Sequence, residues 1–170
     1  MLNVETEIAA GDWPDDDWPA RARAAAEAST RATAHAHLVT GRMTCELAVR
    51  LSDDTEVKTL NGQYRGKDKP TNVLSFPLVQ ADLLPAMTNS DDGEVLLGDI
   101  VLAAETCARE AAEKGISLTD HATHLIVHGT LHVLGYDHEA EAEAEEMERV
   151  ETSVLAGLGI ADPYTERHGT

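Results

Sequence analysis

Long apolar runs are missing from this 170-residue chain. No stretch approaches the roughly 20 residues needed to cross a bilayer. Residues 1–11 carry neither a basic start nor an apolar run, so no secretory signal is read there. Cysteine is scarce as well. Cys45 and Cys107 lie far apart and form no CxxC, so they read as ordinary buried thiols of a reducing compartment. A cytoplasmic protein with no membrane partner is expected. Internal repeats and dividing linkers are also missing, and 170 residues suit one domain spanning 1–170. A chain of this size buries about 70% of its unfolded surface, enough for a core without staples. Basic residues are few, 13 against 31 acidic ones, for a net charge of −18. Taken alone, that sign argues against nucleic acid, because a negative surface repels phosphates.

The charge is unevenly spread. Seven glutamates fall between Glu139 and Glu151, and Asp12 and Asp15 to Asp17 form a second acidic cluster. Most of the late glutamates read as a solvated helix face. Six of the thirteen basic residues lie between Arg42 and Lys69, with Arg65, Lys67 and Lys69 closely spaced. A basic lip can therefore coexist with an acidic whole.

The stretch that organises the chain is His128-Gly129-Thr130-Leu131-His132-Val133-Leu134-Gly135-Tyr136-Asp137-His138, an H-x3-H-x5-H pattern. Four residues turn a helix by about 400°, so His128 and His132 share one face, one turn apart. Gly135 can end the helix in a left-handed conformation and bring His138 back as a third ligand. Three neutral nitrogens with an open fourth position describe a catalytic zinc site rather than a closed structural one. Neutral imidazoles also suit nickel, copper or iron. The spacing matches the zinc-protease pattern H-E-x-x-H-x-x-G-x-x-H, except that Gly129 stands where the general-base glutamate belongs. Metal geometry is kept while peptidase chemistry is put in doubt.

The remaining pattern supplies the scaffold. Leu2 to Ile8 alternates as an edge or first strand, and Met43 to Ser52 as a second. Pro19 to roughly Thr40, alanine-rich and without internal glycine or proline, predicts one helix ending at Gly41. Asp53 and Asp54 start a short helix that ends near Arg65, followed by a charged loop and a strand over Val73 to Phe76. Gln80 to Gly93 reads as a polar loop at the cleft mouth. Glu94 to Leu102 is a strand whose Gly98 marks a bulge or a close backbone approach. Asp99 either orients a histidine ligand or, the reading slightly preferred, caps the next helix. Helices follow over Ala103 to Lys114, from Ser117-x-x-Asp120 to about Leu134, and over Glu139 to Leu158. His121 and His124 lie on the motif helix without a third partner and read as core or supporting histidines. The expected architecture is α+β (or three-layer α/β): a small mixed sheet of about four strands covered by about five helices, with a zincin-like metal helix. Arg65 has two readings that position alone does not separate. It can reach into a cleft and offer a planar fork to a phosphate, or sit on the surface compensating the helix C-terminus.

The segments YRGKDKPTNVLSFP, LGDI and HGTLHVLGYDH, in this order and spacing, resemble the YbeY family of zinc-dependent endoribonucleases, the rRNA maturation factors of bacteria. The LG-x3-PY ending at Leu158 to Tyr164 is similar too, so the likeness covers roughly Leu47 to Tyr164. The resemblance implies a single-strand-preferring metallo-endoribonuclease acting in small-subunit rRNA 3′-end maturation and ribosome quality control. It implies one Zn2+ held by His128, His132 and His138, with Arg65 as the arginine tied to activity. Its partners would be single-stranded RNA, rRNA, and the ribosomal small subunit with its proteins. In such a site the zinc would let water ionise at about pH 7, so no glutamate base would be required, and Arg65 would stabilise charge on phosphoryl oxygens. A soluble domain with accidental histidines is one rival reading, which stoichiometric metal in the purified protein would dismiss, and two functional classes also stand beside it. One is a peptidase-like metal hydrolase, which Gly129 counts against. The other is a ribosome-assembly factor with a mainly structural zinc, which the acidic charge would help to dock on basic ribosomal proteins.

Overall fold

Alternating apolar residues build the central layer. The computed structural model describes residues 1–89, 94–137 and 140–164. Its strands are β1 (Leu2–Ile8), β2 (Thr44–Ser52), β3 (Val73–Pro77) and β4 (Glu94–Ala103). They lie in the order β1-β2-β4-β3. β1, β2 and β4 are mutually parallel, and β3 runs antiparallel beside β4. Around this small mixed sheet the described residues form six helices: α1 (Trp18–Arg31), α2 (His37–Thr40), α3 (Asp54–Arg65), α4 (Ala104–Lys114), α5 (Leu118–Val133) and α6 (Glu141–Gly157). The fold is α+β, as the periodicity predicts. Among the described residues no helix is long and apolar enough to cross a membrane.

Cys45, Leu47, Val49 and Leu51 on β2 turn one way and are buried. They join Ala22, Ala25 and Ala26 of α1 and Ile126 and Leu131 of α5 in one core. Alanine on α1 removes the bulk that would hold a helix off its neighbours. Helix starts follow the sequence signals. Asp17 accepts from the Ala20 amide at 3.2 Å, Asp53 from Glu56 at 2.9 Å, and Ser117 from Asp120 at 3.0 Å.

Three expectations need correction. The single helix expected from Pro19 to about Thr40 is two, because hydroxyls compete for its backbone. Thr33 Oγ1 donates to the Thr30 carbonyl at 2.7 Å and accepts from the His35 amide at 3.1 Å, so α1 stops at Arg31. The polar stretch from Gln80 carries a 3₁₀ helix over Ala81–Asn89, pinned by Leu84, which is fully buried. Residues 90–93 of that stretch lie outside the described residues. Asp99 does neither thing expected of it. It is exposed in the middle of β4, opposite Ala48 and Phe76, while the residue capping α4 is Ala103. Gly98 meets both of its readings. The β2–β4 register slips beside it, and a Cβ there would lie 2.7 Å from the Phe76 carbonyl oxygen.

Both cysteines are free and buried. Burial, reinforced by the nearby Glu110 charge, pushes the Cys107 thiol up to about 12. A raised pKa stabilises the fold fully below pH 9, and that contribution is lost as pH rises toward about 12. Native protein at pH 8 is therefore expected to react with no equivalents of a thiol dye, and with two after denaturation. Cys107→Ala should flatten the alkaline loss of stability by up to ~4 kcal/mol. Rapid labelling of the native protein would contradict the buried placement.

Candidate metal centre

α5 carries the histidines and lies almost wholly in the interior. Its end is a Schellman turn: the Gly135 amide donates to His132 O and the Tyr136 amide to Leu131 O, both at 3.0 Å. Gly135 has φ of +100°, and a Cβ there would fall 2.4 Å from the Ala81 Cβ. Glycine is required at this turn twice over, by its backbone and by the 3₁₀ helix packed against it.

His128 and His132 face each other across one turn, with their Nε2 atoms 3.1 Å apart. Behind His128, Nδ1 lies 2.5 Å from Glu151 Oε1. An ionised carboxylate only accepts, so the His128 proton sits on Nδ1 and a neutral ring turns its Nε2 lone pair toward His132. Two ligands of one tetrahedral zinc, at bonds of ~2.0–2.1 Å, lie ~3.3 Å apart, which this pair of nitrogens suits. A ligating histidine backed by a carboxylate is the usual support of such a site. His138, the third expected ligand, lies outside the described residues. Among the described residues no group of three or more His, Cys, Asp or Glu side chains converges as a metal cage.

Glu151 is the functional candidate that sequence reasoning missed. It falls among seven late glutamates, most of which read as a solvated face, yet it is fully buried. Its Oε2 accepts from the Tyr164 hydroxyl and lies 3.1 Å from His124 Nε2. Burial alone would raise its pKa. The hydrogen bonds from His124, His128 and the Tyr164 hydroxyl outweigh burial and hold it at about 2. A signal was available: Glu151 lies four residues after Met147 and four before Leu155, on the apolar stripe of α6.

The two supporting histidines separate. His124 joins the Glu151 cluster. His121 points elsewhere, with Nε2 2.9 Å from Glu110 Oε1. The same oxygen accepts from Asn72 Nδ2 at 3.0 Å, which fixes the residue preceding β3. Burial lowers the His121 pKa, only partly opposed by its bond to Glu110.

Arg65 ends α3 beside β3, where Tyr64 packs edge-on against Phe76 at 5.4 Å. Its Nη2 donates to the Ser75 carbonyl at 3.2 Å. Arg65, Asn72, His128, His132, Tyr136 and Asp137 line one cleft of about 560 Å³. Arg65 is the one Lys or Arg lining that cleft among the described residues, while Lys67 and Lys69 are exposed away from its lining. Gly129 faces the sheet, not the cleft. A Cβ there would lie 2.9 Å from Ile100 Cγ2, so α5 could not carry a glutamate at this position against β4.

Comparison with known proteins matches residues 15–159 to the family described as endoribonuclease YbeY. The chain belongs to the YbeY endoribonuclease family. It is 61% identical to the endoribonuclease YbeY of Sphingopyxis alaskensis over 168 residues, covering 98% of this chain and 99% of that protein. It is 59% identical to that of Rhizorhabdus wittichii, covering 96% and 97%. The solution structure of TM1509 from Thermotoga maritima aligns with a TM-score of 0.55 at 22% identity, covering 96% of this chain and 98% of that one, a likeness of fold. The YbeY match begins well before Leu47, so the N-terminal helix that carried no diagnostic motif is part of the shared fold.

Proposed function

We propose that this chain is a metal-dependent endoribonuclease that cleaves single-stranded RNA during ribosomal RNA processing, including maturation of the small-subunit rRNA 3′ end and ribosome quality control. Residues 1–170 form one catalytic domain acting in the cytoplasm on the small subunit. His128, His132 and His138 hold one zinc ion, and Arg65 is the catalytic arginine. The observation that carries the reading is the pair of Nε2 atoms 3.1 Å apart, one ring backed by buried Glu151, in the same cleft as Arg65.

A zinc ion held there would supply Lewis-acid polarisation and water ionising at about pH 7. The chain's own residues do the rest. Glu151 keeps the His128 proton on Nδ1. Arg65, anchored by one nitrogen on Ser75 O, retains donors for phosphoryl oxygens as charge builds on them. Gly129 leaves the site without the adjacent carboxylate a zinc peptidase uses, which supports phosphodiester over peptide cleavage. A 2′,3′-cyclic phosphate on the product would identify the ribose 2′-OH as the attacking group; a 5′-phosphate with a 3′-hydroxyl would identify water.

The test is cleavage of end-labelled single-stranded RNA by zinc-loaded wild type, His132→Ala and Arg65→Ala. Loss of all cleavage is expected for the first variant, and a fall of ~10²–10³ for the second. Equal cleavage by all three would assign the activity to a contaminant. A wild type inactive both alone and with small subunits would sink the nuclease reading and favour an assembly factor.

A further inference from the structure

α6 does not simply end; its last turn folds back onto the helix. The Ile160 amide donates to Leu155 O at 2.8 Å. Asp162 Oδ1 then accepts from the Tyr164 amide at 2.8 Å and lies 3.3 Å from Thr152 Oγ1. This sets the Tyr164 ring edge-on to His124, with centroids 5.6 Å apart at 90°. The hydroxyl reaches into the interior, donates to Glu151 Oε2, and lies 3.3 Å from His124 Nε2.

We infer that Tyr164 is a positioning residue for the metal, acting through Glu151 on His128. The inference rests on the zinc reading proposed above. A carboxylate has two oxygens to direct. Tyr164 and His124 together engage Oε2, which leaves Oε1 aimed at His128 Nδ1. The Tyr164 hydroxyl is a neutral donor, so it orients Glu151 without cancelling the negative charge that offsets the cation beyond His128. His124 contributes through Nε2–H. Its buried Nδ1 has no hydrogen-bond partner, and with the proton on Nε2 that orphan is a lone pair rather than an unpaired N–H. Removing the hydroxyl frees one side of the carboxylate while leaving the aromatic packing. Oε1 then holds the His128 proton and ring less firmly, although Tyr164 never touches the ion.

The experiment titrates stripped full-length protein with Zn2+ against a chromophoric chelator, comparing wild type with Tyr164→Phe. Zinc affinity is expected to fall ~10-fold, while the metal-free melting temperature stays within roughly 3 °C. On a Glu151→Gln background the same substitution should have little further effect. If that background does not fold, the visible band of the Co2+-loaded Tyr164→Phe protein serves instead: a shifted band supports the role, and an unchanged one overturns it. Unchanged zinc affinity, with or without a lower melting temperature, makes Tyr164 only a brace of the fold and overturns the inference. An equal loss on both backgrounds overturns it as well. A wild type that takes up no zinc sinks the metal reading itself, a result distinct from zinc uptake that is indifferent to Tyr164.

Discussion

Gly129→Glu, which would complete the H-E-x-x-H sequence, is expected to destabilise the protein severely rather than create a peptidase. The first atom of the new side chain would already stand 2.9 Å from Ile100 Cγ2 and 3.2 Å from Cγ1 and Cδ1. Ile100 is fully buried on β4 and cannot swing clear. Overpacking of this kind costs ~1–3 kcal/mol. The carboxylate beyond it would be driven into the helix–sheet interface without a partner, a further cost of several kcal/mol. Together these exceed ~4 kcal/mol, against a total stability of roughly 5–15 kcal/mol for a domain. Urea titration of Gly129→Glu, with casein as a peptidase substrate, checks both halves. Gly129→Ala probes the contact more gently. Ile100→Ala, costly by itself, should reduce the penalty of adding that methyl group. Strictly additive losses, or a Gly129→Glu protein as stable as wild type, would mean that the α5–β4 approach is looser than described.

Glu151→Ala is expected to cost ~3–5 kcal/mol, the range for removing one partner of a buried ionic cluster. The loss is not that of a single contact. His128 Nδ1, His124 Nε2 and the Tyr164 hydroxyl all direct polar atoms at this carboxylate. Truncation leaves them in a dry cavity without an acceptor. Glu145, exposed on the same helix, is the control, and its replacement by alanine should stay within ~0.5 kcal/mol. Urea midpoints for the two variants decide the matter. Similar midpoints would return Glu151 to the solvated face. Zinc affinity of any folded Glu151→Ala protein should fall ~10–100-fold, because the His128 tautomer is no longer fixed.

These two residues mark where sequence reasoning succeeds and where it stops. Gly129 was legible as a departure from a peptidase motif, but the reason for it was not. The reason is Ile100, twenty-nine residues earlier, reached only because α5 lies across β4. Glu151 was one of seven glutamates in a row of similar-looking charges. Its place on the apolar stripe was local information, but its partners come from α5 and the terminal turn. The polar stretch from Gln80 misled because composition outweighed one leucine, and Leu84 is what holds its 3₁₀ helix to the core. The break between α1 and α2 was missed because a helix-forming composition says little about a threonine hydroxyl competing for the carbonyl three residues before it.

The sequence by itself determined what depends on spacing along the chain. The histidines one turn apart, the glycine that ends their helix, the helix starts at Asp53 and Ser117, and the alternation of β1 and β2 all follow from local geometry. Only the tertiary structure decided what depends on meeting a distant segment. It brought Arg65 from α3 into the cleft of His128 and His132, set His121 against Glu110, and buried Glu151 behind His128. The physical reason is that a short-range pattern fixes which way a side chain leaves its own helix or strand. Whether it then finds water, an apolar wall or a hydrogen-bonding partner is fixed by the packing of elements far apart in the chain.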